Sequence, residues 1–176
     1  MEYFQSEVSR ILEHYLQIPK NICAFRKKQN CYKWLRSMLD KLHVRWDTIE
    51  DLFKTDISNY FPSITDEMIV KALISHKNVH LQSILKQSNF LNIEAAELLA
   101  YLCTYNGNLT QWSPSSPVLA NLVWFERMDK YIFKVLNRKW VEFIRYADDI
   151  MVLSTTWIKE WEKKDILDII WNAWFD

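Results

Sequence analysis

Val141-Glu142-Phe143-Ile144-Arg145-Tyr146-Ala147-Asp148-Asp149-Ile150-Met151-Val152-Leu153-Ser154 is the stretch on which the fold turns. Two apolar runs, Val141 to Tyr146 and Ile150 to Ser154, flank Ala147-Asp148-Asp149. Runs rich in β-branched and aromatic residues predict strands, and the short polar junction between them predicts a hairpin. Upstream, Leu52 to Ile57 reads as a third short strand. The remaining segments carry helical spacing. Residues 6 to 17 place Val8, Ile11, Leu12, Tyr15 and Leu16 on one face, and Pro19 ends that pattern. Residues 30 to 43 do the same with Trp34, Leu35, Met38, Leu39 and Leu42. Asp66 is the expected cap of a helix running to about Ser75, and Ile93 to Thr104 is another helix. Asn106-Gly107-Asn108 is a turn. Ser115 to Leu136 reads as one long helix with Pro117 in its first turn, and Lys159 to Phe175 as a final one. Interleaved strands and helices, with a hairpin as the adjacent strand pair, predict an α+β domain rather than a doubly wound sheet.

Composition narrows the function classes. One glycine, Gly107, stands in 176 residues, where average usage would supply roughly 12. A fold needing several glycine-cradled phosphates, such as a P-loop or a dinucleotide fingerprint, is excluded. Twenty-two basic and 22 acidic residues give a net charge of zero, so this is no uniformly basic nucleic-acid coat. Cys23, Cys31 and Cys103 are odd in number and lack C-x-x-C spacing, which argues against a disulfide framework or a structural zinc. The start has no signal-peptide pattern and no apolar run reaches the roughly 20 residues of a membrane span, so a cytoplasmic protein is expected. His76 and His80 share a helix face at i, i+4, but no third ligand accompanies them.

Chemistry points to three acids. Asp56 ends an apolar strand, and Asp148 and Asp149 interrupt two more. Carboxylates so placed are costly unless paired or bound to cations. At a hairpin turn two adjacent carboxylates can point to one side, and with Asp56 they would form an oxygen-rich anionic cluster suited to Mg²⁺. Two such ions about 3.5–4 Å apart can stabilise both oxygens of an in-line phosphoryl transfer. Taken alone, Asp-Asp in a hairpin is more often an ordinary solvated turn, because Asp is a common turn former.

The surrounding residues separate those readings. Thr55-Asp56-Ile57-Ser58-Asn59-Tyr60-Phe61-Pro62-Ser63-Ile64 resembles the first catalytic motif of reverse transcriptases. Gln111-Trp112-Ser113-Pro114-Ser115-Ser116-Pro117-Val118-Leu119-Ala120-Asn121-Leu122 resembles their nucleotide-pocket motif. Arg145-Tyr146-Ala147-Asp148-Asp149 is similar to their metal-binding YADD box, in the form seen in retron and group II intron enzymes. The three occur in the family's order and at its usual separations. Ala24-Phe25-Arg26-Lys27-Lys28-Gln29-Asn30 resembles the preceding fingers segment.

The resemblance implies a polymerase palm, a ferredoxin-like antiparallel sheet packed on helices. Residues 1–50 would be partial fingers and 51–176 a palm truncated after the YADD hairpin and its following helix, with the thumb absent. It implies an RNA-directed DNA polymerase joining a dNTP to a primer 3′-OH, with RNA template, DNA primer and dNTPs as partners. The cofactor would be two Mg²⁺ ions, with Mn²⁺ an alternative. Asp56, Asp148 and Asp149 match the catalytic, metal-ligating acids, and the Ile57 carbonyl a further ligand. Phe61 matches the aromatic that excludes a ribose 2′-OH, and either it or Tyr60 is ordinary core packing. Gln111 and Trp112 fall at the nascent base pair. Trp112 stands where the family has glycine, so it is either a stacking platform or an obstruction. From Lys20 to Arg45 eight basic residues face one acid, an excess of seven, interleaved with Phe25, Tyr32 and Trp34. Arg26, Lys27, Lys28, Lys33 and Arg36 are the nucleic-acid candidates. A partner chain or oligomer would complete palm and thumb, and Trp157, Trp161, Trp171 and Trp174 are the apolar surface to receive it. The alternative is a catalytically impaired remnant that binds nucleic acid or protein. A viral-type RNA-directed RNA polymerase is disfavoured by Phe61 and by YADD in place of Gly-Asp-Asp.

Overall fold

In the computed structural model, which describes residues 2–16, 18–26, 31–42, 48–76, 92–136 and 140–175, the stretch from Val141 to Ser154 is a hairpin. A strand β1 (Asp51–Asp56) precedes it, a two-residue strand pair β2 (Thr104–Tyr105) and β3 (Asn108–Leu109) lies between, and the hairpin itself is β4 (Val141–Tyr146) with β5 (Asp149–Ser154). β4 and β5 pair antiparallel, setting Tyr146 opposite Asp149 and Val141 opposite Ser154. β1 lies along the other side of β5, also antiparallel, setting Asp56 opposite Asp149 and Asp51 opposite Ser154. The sheet order is therefore β1-β5-β4. The central strand buries Ile150, Val152 and Leu153, whereas β1 alternates between half-buried and exposed positions, as an edge strand should. The outer edge of β4 is covered rather than left open. Cys23 donates its N–H to the Arg145 carbonyl and Arg145 donates to the Asn21 carbonyl, each at 3.0 Å. Such cover blunts an edge that would otherwise template pairing with another chain.

The chain divides into two compact units, each built from two separated stretches. The sheet belongs to the unit made of Pro19–Ser58 and Met128–Asp176. There helix α2 (Cys31–Leu42) contributes Leu35 to a cluster of Cys23, Ile144 and Leu153. The last helix, which we number α7 (Glu160–Phe175), packs against α6 (Lys130–Val135). Its entry is tied to the start of β1: the Asp51 carboxylate accepts the Ile158 N–H at 3.0 Å and lies 3.4 Å from Lys163.

The other unit, Met1–Ile18 with Asn59–Arg127, is mostly helical. α1 (Glu2–Tyr15) packs on α5 (Ser116–Trp124), and α3 (Asp66–Ser75) packs on both α4 (Asn92–Cys103) and α5. α5 is buried almost all round, from Ser116 to Trp124 with Pro117 half-buried. α3 is capped one residue earlier than expected: the Thr65 hydroxyl, not Asp66, accepts the Met68 N–H at 3.2 Å. Asp66 and Glu67 instead fill the first turn, where negative charge suits the helix dipole. The turn at Asn106-Gly107 joins β2 to β3 with φ of 51° and 77°. Positive φ at both loop residues is the type I′ geometry that matches strand twist.

The single long helix expected over 115–136 is three segments. α5 gives way to a wider π turn at Phe125–Asp129 and then to α6. A π turn re-phases a helix, so residues beyond it face directions that a 3.6 period does not predict. Two buried acids, Glu126 and Asp129, lie within it.

A Cβ at Gly107 would meet only the Asp66 carboxylate at 3.9 Å, so its cost is that of backbone conformation alone. Gly107→Ala is expected to lower stability by about 1 kcal/mol. Urea denaturation checks this, and an unchanged midpoint would show that the turn tolerates a side chain at this φ.

Candidate functional site

Residues paired directly across two strands present their side chains to the same face. Asp56 opposite Asp149 therefore puts both carboxylates on one face at one end of the sheet. The ladder continues one step further, because the Ile57 N–H donates to the Asp148 carbonyl at 3.0 Å. Asp56, Asp148 and Asp149 thus come from β1 and the β4–β5 turn to a single sheet end. Asp56 and Asp148 are exposed, and Asp149 is half-exposed.

A cation already stands among them. Lys54, on the same face of β1 as Asp56, lies 2.9 Å from the Asp149 carboxylate. The hydrogen bond to Asp149 holds the Lys54 ammonium above its ordinary pKa; the charge of Asp149 adds to this, and Asp56 and Asp148 add further. All three acids therefore act on one point. Exposed pairs of this kind are weak and exchangeable.

The turn itself is unusual. Ala147 has φ of 54°, a left-handed value that glycine adopts freely and alanine does not. Only the first loop residue is positive, the sign pattern of a type II′ turn, which favours glycine there. Behind the turn, Arg145 is fully buried. Its Nε and Nη2 donate to the equally buried Asp129 carboxylate at 2.8–3.0 Å, and its Nη1 donates to the Ala147 carbonyl at 3.1 Å. Burial pushes the Asp129 carboxyl above its usual range, with the Arg145 charge and hydrogen bonds pulling the other way.

The donor chemistry at this end fits a hard divalent cation, which takes oxygen ligands and is held by one or two carboxylates plus waters or phosphates. Among the described residues, however, no three His, Cys, Asp or Glu side chains gather as a metal-binding group. Asp56 lies opposite Asp149 at the sheet end, Asp148 is in the adjoining turn, and Asp149 is drawn to Lys54.

The remaining candidates divide by environment. In the helical unit, Tyr60 is buried and stacked on Trp124, with ring centroids 6.0 Å apart; its hydroxyl donates to Asn121 at 3.4 Å. Phe61 is half-buried and meets Tyr60 edge-on at 5.0 Å. Of these two aromatics, Tyr60 is the packing residue. Gln111 and Trp112 lie in the turn before α5, both exposed, Trp112 to 90%. Trp112 lines an open cleft of about 820 Å³ together with Tyr101, Tyr105 and Gly107. In the same unit His76 is buried, with Nδ1 2.6 Å from the Glu126 carboxylate, so its partner is an acid; His80 lies outside the described residues.

In the sheet unit, Lys33 and Arg36 are exposed on α2 beside exposed Tyr32. Arg26 is turned inward: its Nη1 donates to the carbonyls of Pro19 at 2.7 Å and Ile22 at 3.2 Å, and burial lowers its pKa. Lys27 and Lys28 lie outside the described residues. Trp157, Trp161 and Trp171 are exposed, while Trp174 is half-buried. No helix among the described residues is long and apolar enough to cross a membrane.

Two residues important to this geometry do not stand out from the sequence as site residues. Arg145 figures there only as part of a motif, although a charge inside an apolar strand signals a buried partner. Lys54 sits two residues before Asp56, on the same face, which is the spacing that brings it to the acids.

No protein-family model matches the chain. It is 27% identical over 149 residues to the Retron Ec83 reverse transcriptase of Escherichia coli. That alignment covers 83% of this chain but 43% of the retron enzyme, so the chain spans less than half the length of this relative. The similarity supports a relationship to reverse transcriptases.

Removing one partner of a buried ion pair leaves an uncompensated charge. Asp129→Ala is therefore expected to destabilise the protein by about 3–5 kcal/mol. Equilibrium unfolding in urea tests this; a loss below about 1 kcal/mol would mean that Arg145 finds another partner.

Proposed function

We propose that this chain provides the carboxylate-bearing palm of an RNA-directed DNA polymerase, joining dNTPs to a primer 3′-OH along an RNA template. The observation that carries the reading is the strand register that brings Asp56 and Asp149 to one face, beside Asp148. The similarity to a retron reverse transcriptase supports it.

Asp56, Asp148 and the Ile57 carbonyl would hold Mg²⁺ or Mn²⁺, with Asp149 the third acid. A bound pair of such ions supplies charge stabilisation to the attacking and leaving oxygens of phosphoryl transfer. The chain's own residues do the rest. By the resemblance, Phe61 would exclude a ribose 2′-OH, and Gln111 and Trp112 would serve the nascent pair. Exposed Lys33, Arg36 and Tyr32 give α2 the mixture of cation and ring that holds a nucleic-acid strand. A partner chain or a further segment supplies the grip on the primer duplex.

The second reading, a nucleic-acid- or protein-binding module without polymerase activity, draws on the Lys54–Asp149 pair, which occupies one of the acids. Lys54 separates the two. Lys54→Met is expected to raise Mn²⁺ affinity about threefold by releasing Asp149, the scale of one exposed ion pair. Titration followed by the Mn²⁺ paramagnetic signal measures this; unchanged affinity would remove Asp149 from the ligand set.

Template-directed primer extension with dNTPs and Mg²⁺ is the direct test. Asp148→Ala should reduce it by about 10³-fold or more, the several kcal/mol that metal-held charge stabilisation contributes. Extension that survives the substitution, or that never appears with the unaltered protein and added partner segments, would reject the polymerase reading.

A further inference from the structure

We propose that Arg145, locked by Asp129, is the positioning residue of the carboxylate turn, acting on Asp148 through the Ala147 carbonyl. The inference rests on the reading of Asp148 as a working acid. Three features of the structure lead to it.

The first is the division of the guanidinium. One edge, Nε and Nη2, is held by the Asp129 carboxylate, while Nη1 reaches the Ala147 carbonyl. A guanidinium is planar and rigid, so fixing one edge fixes the direction of the other. A lysine ammonium has no such fork. The second is the anchoring of the arm at its root. The Arg145 backbone is bonded in both directions, to Asn21 and to Cys23, at 3.0 Å each. The third is the strain in the turn. Ala147 stays at φ of 54° only where its surroundings over-determine it. Its carbonyl is held by Arg145, and the next carbonyl, that of Asp148, is held by the Ile57 N–H at 3.0 Å. The peptide between those two bonds is the one that carries Asp148. Stability alone does not account for the buried pair, because well-packed apolar residues of similar volume are often as stable or more so.

That last point supplies the test. The double variant Asp129→Leu with Arg145→Met removes both charges together and leaves neither unpaired. Arg145→Lys, made separately, keeps the charge but loses the fork. Each is compared with the unaltered protein by thermal melting, by hydrogen exchange of the amides of residues 147 to 149 without metal, by Mn²⁺ titration, and by primer extension.

Positioning predicts that exchange at the turn speeds up about tenfold in both variants, the scale of one charge-assisted hydrogen bond. Mn²⁺ binding should weaken in parallel, and kcat should fall while the KM for dNTP holds. Lysine should not rescue. A folded variant with native turn exchange and native Mn²⁺ affinity would overturn the proposal. Should the double variant melt early, Arg145→Lys decides the matter by the same measurements. The exchange measurement needs no polymerase, so loosened turn amides in a protein without primer extension would reject the enzyme reading and still support the positioning role.

Discussion

The register of β1 against β5 is the constraint on which the carboxylate end depends. Strand side chains alternate faces with period two, so a slip of one residue would send Asp56 to the opposite face from Asp149. The far end of the strand resists that slip. Asp51 sits opposite Ser154, the Glu50 N–H donates to the Ser154 carbonyl at 3.0 Å, and the Asp51 carboxylate holds both the entry to α7 and Lys163. An acid at the start of β1 thus fixes by pairing what an acid at its end can face.

Two ion pairs in the sheet unit do different work because of where they lie. Lys54 and Asp149 meet in water, where the attraction is small and either partner can be drawn elsewhere. Arg145 and Asp129 meet with no solvent access, where separation would strand a charge. The exposed pair can exchange partners with dissolved ions and water. The buried one cannot, and suits a frame against which the exposed groups move.

Much of this is legible from residue order. The apolar runs around Ala147 give the hairpin with boundaries good to a residue, because a short polar interruption of two strand-like runs has few other solutions. The resemblance picks out Asp56, Asp148 and Asp149, and pairing brings them to one end. Asp129 is not legible as the partner of Arg145. It lies 16 residues upstream, in a stretch whose sequence suggests uniform α-helix, and the π turn breaks the period that such a reading assumes. The cap of α3 is ambiguous in sequence because Thr65 and Asp66 are both good capping residues, and only the hydrogen bond to Met68 decides between them. Trp112 is ambiguous for a related reason: a large ring in a turn can fill a space or stand out of it, and here it stands in solvent.

Glycine scarcity takes on a different meaning once backbone angles are known. Phe25, Trp140 and Ala147 adopt positive φ along with Asn59, Asn106 and Gly107, so half of the left-handed corners described are made by residues that resist them. Each such corner is maintained by its neighbours rather than by its own preference. The side chains there also narrow the conformations open to the unfolded chain, which offsets part of the strain. Corners of this kind have few nearby alternatives to drift into. They hold their shape until the supporting contacts give way, and then they have every reason to leave it.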